Sequence, residues 1–165
     1  MRIATHQEPV WRSRANFIFH AYVDGDPNYR EQLWGRRVEP GLVELCCIPF
    51  LLYDIALGDL VRTNDQNILE AAVERRGRVA FRFWLHEAEL GPSKELASRL
   101  VDMGALVEWS SPHLLSIDAA DQRLARVVAG ALSELENAGI GVYETADRAH
   151  PSGVGSTDGD GHRSV

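Results

Sequence analysis

Apolar and polar residues alternate strictly over Arg78–Leu85, RVAFRFWL, so Val79, Phe81, Phe83 and Leu85 share one face. Arg78, Ala80, Arg82 and Trp84 share the other, and the segment reads as a strand. Beyond it the period changes. Gly91-Pro92-Ser93 opens a helix that carries Leu96, Leu100 and Val101 and stops at Gly104. A second helix runs from about Asp121 to Ala138, with Leu124, Val128, Ala131 and Leu135 as its stripe and Gly139 at C′. Leu106–Ser110 and His113–Ala119 predict two strands around a Ser111-Pro112 turn, and Ile140–Glu144 a last one. Strand-helix-strand-strand-helix-strand is the ferredoxin-like βαββαβ order. Its right-handed crossovers put both helices on one face of a four-stranded antiparallel sheet.

Before Arg78 the pattern is one of short strands and tight turns. Ala15–Asp24 has strand composition, and Asp24-Gly25-Asp26-Pro27-Asn28 supplies a turn. Tyr29–Val38 predicts a second strand, although its Arg-Glu-Gln-Leu-Trp could also begin a helix. Leu42–Ile48 is a short apolar run, read as a buried strand that Pro49 ends or bulges. Phe50–Leu57 stays apolar up to a Gly58-Asp59 turn, and Leu60–Thr63 is a further strand. The whole stretch Glu44–Val61 forms the buried spine of this half. Gln66–Arg76 fits either a helix starting near Asn64 or a strand that completes a small barrel.

The expected fold class is α+β, with an N-terminal small β-barrel-like half packed on the C-terminal ferredoxin-like half. Residues 1–14 form a loose lead-in, 15–76 a small β domain and 77–147 the ferredoxin-like domain. Residues 148–165 are poor in apolar side chains and are expected to be a disordered tail.

Composition narrows the functions. A chain of 165 residues, 45% hydrophobic and 25% charged, makes one domain or two small ones. A net charge of −7 disfavours nucleic-acid and membrane-surface partners. No apolar run approaches the roughly 20 residues that span a bilayer. Adjacent Cys46 and Cys47 make no disulfide framework, and with no secretory leader a cytoplasmic protein with reduced thiols is expected. There is no Gly-rich phosphate loop after a strand and no GxSxG elbow, so nucleotide-dependent enzymes and serine hydrolases are disfavoured.

The run Ile48-Pro49-Phe50, then Tyr53, Gly58-Asp59-Leu60-Val61, and Arg76-Gly77 before the Val79–Phe83 strand resembles a bacterial domain-of-unknown-function family (DUF4265). GALVEWSSPHLLSIDAAD fits the same setting. The resemblance covers roughly Asn16 to Thr145. It implies the two-part architecture and a strand at Ile68–Glu74, and it brings no activity with it.

Candidate chemistry is sparse. Cys46-Cys47 is read as packing, since neighbours on a strand point to opposite faces and free cysteine is usually buried. As a nucleophile, Cys46 would need a base such as His20 or His113. Asp59 is read as capping turn amides. None of the six histidines stands in metal-ligand spacing with another, so no metal or cofactor is expected. The most informative surface is the helix-free face of the second sheet, where Arg82, Trp84, Glu108, Ser110, Ser116 and Asp118 fall together. A cation, an aromatic, carboxylates and hydroxyls suit a groove for a small polar ligand; an interface with the first half suits them better, because an uncovered sheet face carrying Trp84 needs a partner. The expected function is a non-catalytic binding or accessory module for a small molecule or protein partner, bound at the inter-domain groove or open sheet. The alternative is a small cofactor-free enzyme using Glu108, His113 or Asp118 for acid-base work and Arg82 for an anionic substrate. Pairing of sheets into a homodimer is also open.

Overall fold

The computed structural model describes residues 1–87 and 90–148; the tail expected at 148–165 lies, beyond Arg148, outside the described residues. Among the described residues the chain is mixed α+β, with ten strands in two sheets, two α-helices and no closed barrel.

The first sheet is organised around β3 (Tyr29–Glu39). Its antiparallel partner on one edge is β2 (Phe17–Tyr22), in a register that pairs Phe19 with Leu33. Along the other edge two strands follow one another. β1 (Arg2–Thr5) pairs in parallel with Tyr29–Gln32, and β4 (Leu42–Leu45) pairs antiparallel with the C-terminal half of β3. β5 (Leu60–Thr63) and β6 (Leu69–Glu74) continue the sheet. A single parallel bridge, His20 to Ile68, joins β2 to the approach to β6. Gly35 is a close-approach position: a Cβ there would lie 2.2 Å from Val43 Cγ1.

Two expectations about this half are corrected. Residues 1–14 are ordered, because β1 adds to β3, His6 is buried and Arg12–Arg14 form a short 3-10 helix. The strand expected over Leu42–Ile48 ends at Leu45, and 46–59 crosses between the sheets without regular structure. Pro49 cannot donate to a ladder, and the backbone groups around it find side-chain partners instead. Glu44–Val61 is a buried spine, but most of it is strap. Within Gln66–Arg76 the strand alternative holds, over Leu69–Glu74, after a turn at 65–67.

The second sheet has the order β10-β7-β9-β8, all antiparallel, from β7 (Val79–Leu85), β8 (Leu106–Trp109), β9 (Leu114–Ala119) and β10 (Gly141–Thr145). Helices α1 (Leu90–Asp102) and α2 (Gln122–Asn137) cover one face. There Phe81, Phe83, Leu85, Leu115 and Ile117 meet Leu96, Leu100, Val128 and Leu132, which are all buried. Asp121 caps α2 by accepting from Leu124 N at 2.8 Å, and Gly139, at φ +75°, ends it. The buried stripe of α2 is Ala125, Val128, Ala131 and Leu132, rotated slightly from expectation, with Leu124 and Leu135 at its margins.

Candidate functional site

The helix-free face of the second sheet is crossed by one row of polar side chains. Strand register places Glu144, Arg82, Ser116 and Glu108 side by side across β10, β7, β9 and β8. Next to it lies an apolar row of Val142, Trp84 and Leu114. The strap Ile48–Leu52 lies over the polar row and is fastened to it through its backbone. Glu108 Oε2 accepts from Ile48 N at 2.5 Å, and Ser116 Oγ donates to Pro49 O at 3.0 Å. Arg82 Nη2 donates to Leu52 O. From the first sheet, Glu31 accepts from Phe50 N at 2.7 Å and from Leu51 N at 2.9 Å. Buried backbone donors without a ladder must find other acceptors, and these carboxylates provide them.

His6 stands between the two carboxylates. Its Nδ1 is 2.8 Å from Glu108 and its Nε2 2.9 Å from Glu31, and its ring stacks on Phe50 at 3.9 Å. All three side chains are sealed from solvent. Burial disfavours the imidazolium, yet the bonds to Glu108 and Glu31 outweigh it, and the His6 pKa is raised. Burial also pushes the Cys47 thiol up, so at neutral pH Cys47 is an uncharged thiol and the two carboxylates hold the His6 proton. With both ring nitrogens engaged, His6 has none left for a metal. Among the described residues no group of three or more His, Cys, Asp and Glu has the geometry for a metal ion.

Beyond the strap the sheet face opens into a groove of about 630 Å³ between the two halves. Arg82 and Glu144 form its polar floor, paired at 3.0 Å, and Tyr53 donates to Glu144 at 2.9 Å. The Arg82 guanidinium lies 4.4 Å from the Tyr53 ring centroid. Burial, and then the bond to Glu144, push the Tyr53 phenol up, so it is a donor at neutral pH. Trp84, 51% exposed, and Val142 form an apolar wall, with Leu114 beneath. Arg2, Asp24, Asp26 and Tyr29 close the groove from the first half. This combination of an aromatic wall and a few convergent polar groups is typical of small-ligand clefts.

The residues singled out from sequence divide into two groups. Arg82 and Trp84 line the groove. Glu108 and Ser116 share their sheet face but are buried under the strap with their bonds made. Asp118 is fully buried and held by the Arg78 guanidinium; burial raises its carboxyl, an effect that Arg78 opposes. Ser110, past the end of β8, and His113, whose Nδ1 lies 3.0 Å from Leu85 O, are half-buried and outside the groove lining. Cys46 is buried, and burial and Glu44 push its thiol up to about 11. Asp59 accepts from Ala56 N and from Arg76 N, each at 2.9 Å, so it caps backbone amides.

Sequence reasoning did not single out His6, Glu31, Tyr53 as a site residue, or Glu144. Period-two alternation could have found Glu144, which sits on a strand beside Arg82. His6 and Glu31 carry no local signal, because they look like ordinary polar residues of an exposed segment.

A two-sheet α+β protein with a strapped interface and an adjoining groove is the class these features define. Residues 31–143, more than half of the chain, match the family described as domain of unknown function (DUF4265), and the chain belongs to that family. A solved structure, the crystal structure of a hypothetical protein from Neisseria gonorrhoeae, shares the fold with a TM-score of 0.63 at 17% identity, covering 80% of this chain and 96% of that one. No curated protein matches the chain.

Proposed function

We propose that this protein is a non-catalytic binding module that takes a small molecule in the groove between its halves. The observation that carries the proposal is Trp84, half-exposed beside the ion pair of buried Arg82 and half-exposed Glu144. Trp84 and Val142 together form an exposed apolar patch beside polar groups, the kind of surface that marks a ligand-binding groove. A ligand with a flat apolar part against Trp84 and Val142, and a polar group near Tyr53 and Arg82, suits that wall and floor. The groove volume falls in the range of small-ligand clefts, which favours a small molecule over a protein partner.

In architectural terms we read the second half as ferredoxin-like, supported by its βαββαβ order and its β10-β7-β9-β8 sheet. We read the first as barrel-like, supported by the bridge that brings β2 towards β6. Two free, buried thiols fit a cytoplasmic setting. The enzyme reading is less favoured, because Glu108, Asp118 and Cys46 are buried and already bonded or shifted away from reactivity. Their removal from the groove leaves it without the expected base.

The test is a thermal-shift screen of small metabolites against the wild type and Trp84→Ala. A genuine ligand stabilises the wild type by mass action and loses most of that effect in the variant. A compound that stabilises both equally binds elsewhere, and a set of only such compounds would remove the groove as the site.

A further inference from the structure

We propose that the outer face of the first sheet holds a second site, an arginine cluster on Glu44 that binds a phosphomonoester dianion. Glu44 projects from β4 with its carboxylate almost wholly covered, at 3% exposure. Three guanidiniums converge on it: Arg14 at 2.8 Å, Arg36 at 3.2 Å and Arg76 at 2.9 Å. One bidentate arginine would satisfy a carboxylate. The other two bring surplus positive charge to one spot, where like charges repel.

The cluster is fixed from behind. Arg14 stacks over Trp11 at 4.4 Å, and Trp11 N donates to Cys46 O at 3.2 Å. Arg36 is held by β3, and Arg76 N donates to Asp59 at 2.9 Å. Each of the three side chains is nevertheless 40–48% exposed, so their outward N–H groups face solvent. Glu74 lies 3.6 Å from Arg76 and offsets part of the charge. Arg12, stacked 5.4 Å over Trp34 on the same face of β3 as Arg36, adds it back. Arg12, Arg14, Arg36 and Arg76 outnumber Glu44, Glu74 and Asp59, which leaves a positive spot on a chain whose net charge is −7. A phosphomonoester carries close to two negative charges at neutral pH and offers three acceptor oxygens to guanidinium forks. Because the arginines are held in place before binding, little ordering is needed to capture it. Arg12 and Arg14 each already lie over a face of the nearby Trp34 and Trp11 rings, which competes with stacking of nucleic-acid bases there.

None of these residues lines the groove, so the two sites fail independently. The experiment is isothermal titration of the full chain at low salt with glycerol 3-phosphate as the probe. Saturable binding is expected, weakened about tenfold by Arg14→Ala, which removes one charge-assisted contact, and largely kept by Arg14→Lys. Arg36→Gln should weaken it similarly, and Arg99→Ala on α1, whose side chain pairs with Glu134 at 3.2 Å, should leave it unchanged. No saturable binding to the wild type, or equal affinity in Arg14→Ala, would overturn the proposal. A short single-stranded oligonucleotide without terminal phosphate binding more tightly than the probe would also overturn it, in favour of a phosphodiester partner.

Discussion

His6 and Glu108 lie 102 positions apart in the chain, yet Nδ1 of one is 2.8 Å from the carboxylate of the other, deep between the two sheets. The contact ties the N-terminal strand to β8. It also sets the charge state of the interface, since Glu108 and Glu31 face each other across one imidazolium.

Replacing His6 by Ala leaves two carboxylates buried with no counter-charge. Removing one partner of a buried charge pair costs about 3–5 kcal/mol, so a loss of that order is expected in chemical denaturation. A change within about 0.5 kcal/mol, the usual scale for a surface site, would mean that the triad is not closed as described.

The pH profile provides a separate check. The His6 pKa is raised above 6.5, so its stabilisation is complete below 6.5 and is lost as pH rises towards the folded value. Between about pH 7 and 8 the wild type should lose up to roughly 1.4 kcal/mol of stability per unit. His6→Ala should show a flatter line over the same window. Parallel slopes would show that His6 is neutral in the fold.

Asp59 should behave as a double cap. Asp59→Ala strips the acceptors of Ala56 N and Arg76 N, and a loss of about 1–3 kcal/mol is expected in the unfolding free energy. Asp59→Asn keeps one acceptor and should recover part of it. If the two variants are equally unstable, the carboxylate acts through charge and not through these bonds.

The thiols should be inert. Cys46 and Cys47 are fully buried, and burial pushes both thiols up, Cys46 to about 11. A disulfide-exchange reagent at neutral pH should find no fast-reacting thiol in the folded protein and two after denaturation. One fast thiol before unfolding would reopen the nucleophile reading of Cys46.

Gly141 opens β10 opposite Leu85, next to Trp84. A Cβ there would lie 2.2 Å from Trp84 O, a backbone atom that cannot swing aside. Gly141→Ala should therefore cost about 1–3 kcal/mol, as overpacking does. It should also shift the Trp84 emission, and a stable variant with unchanged emission would contradict the close approach.

Local pattern determined a good part of this protein. Alternation at Val79–Leu85 and the helical stripe of α2 report burial directly, because a side chain's position along a regular element decides which way it points. The same alternation placed Arg82 and Trp84 on one face beside Glu108 and Ser116. Only the tertiary structure decided which of these meet solvent. The strap Ile48–Leu52 seals Glu108 and Ser116 and leaves Trp84 open, because its unladdered amides needed buried acceptors. Those acceptors come from β3 and β8, at separations of 19 and 60 residues. A carboxylate that will be buried against a distant amide has the same local sequence as one left in water. His6 and Glu31 therefore read as surface until the chain folded back on them.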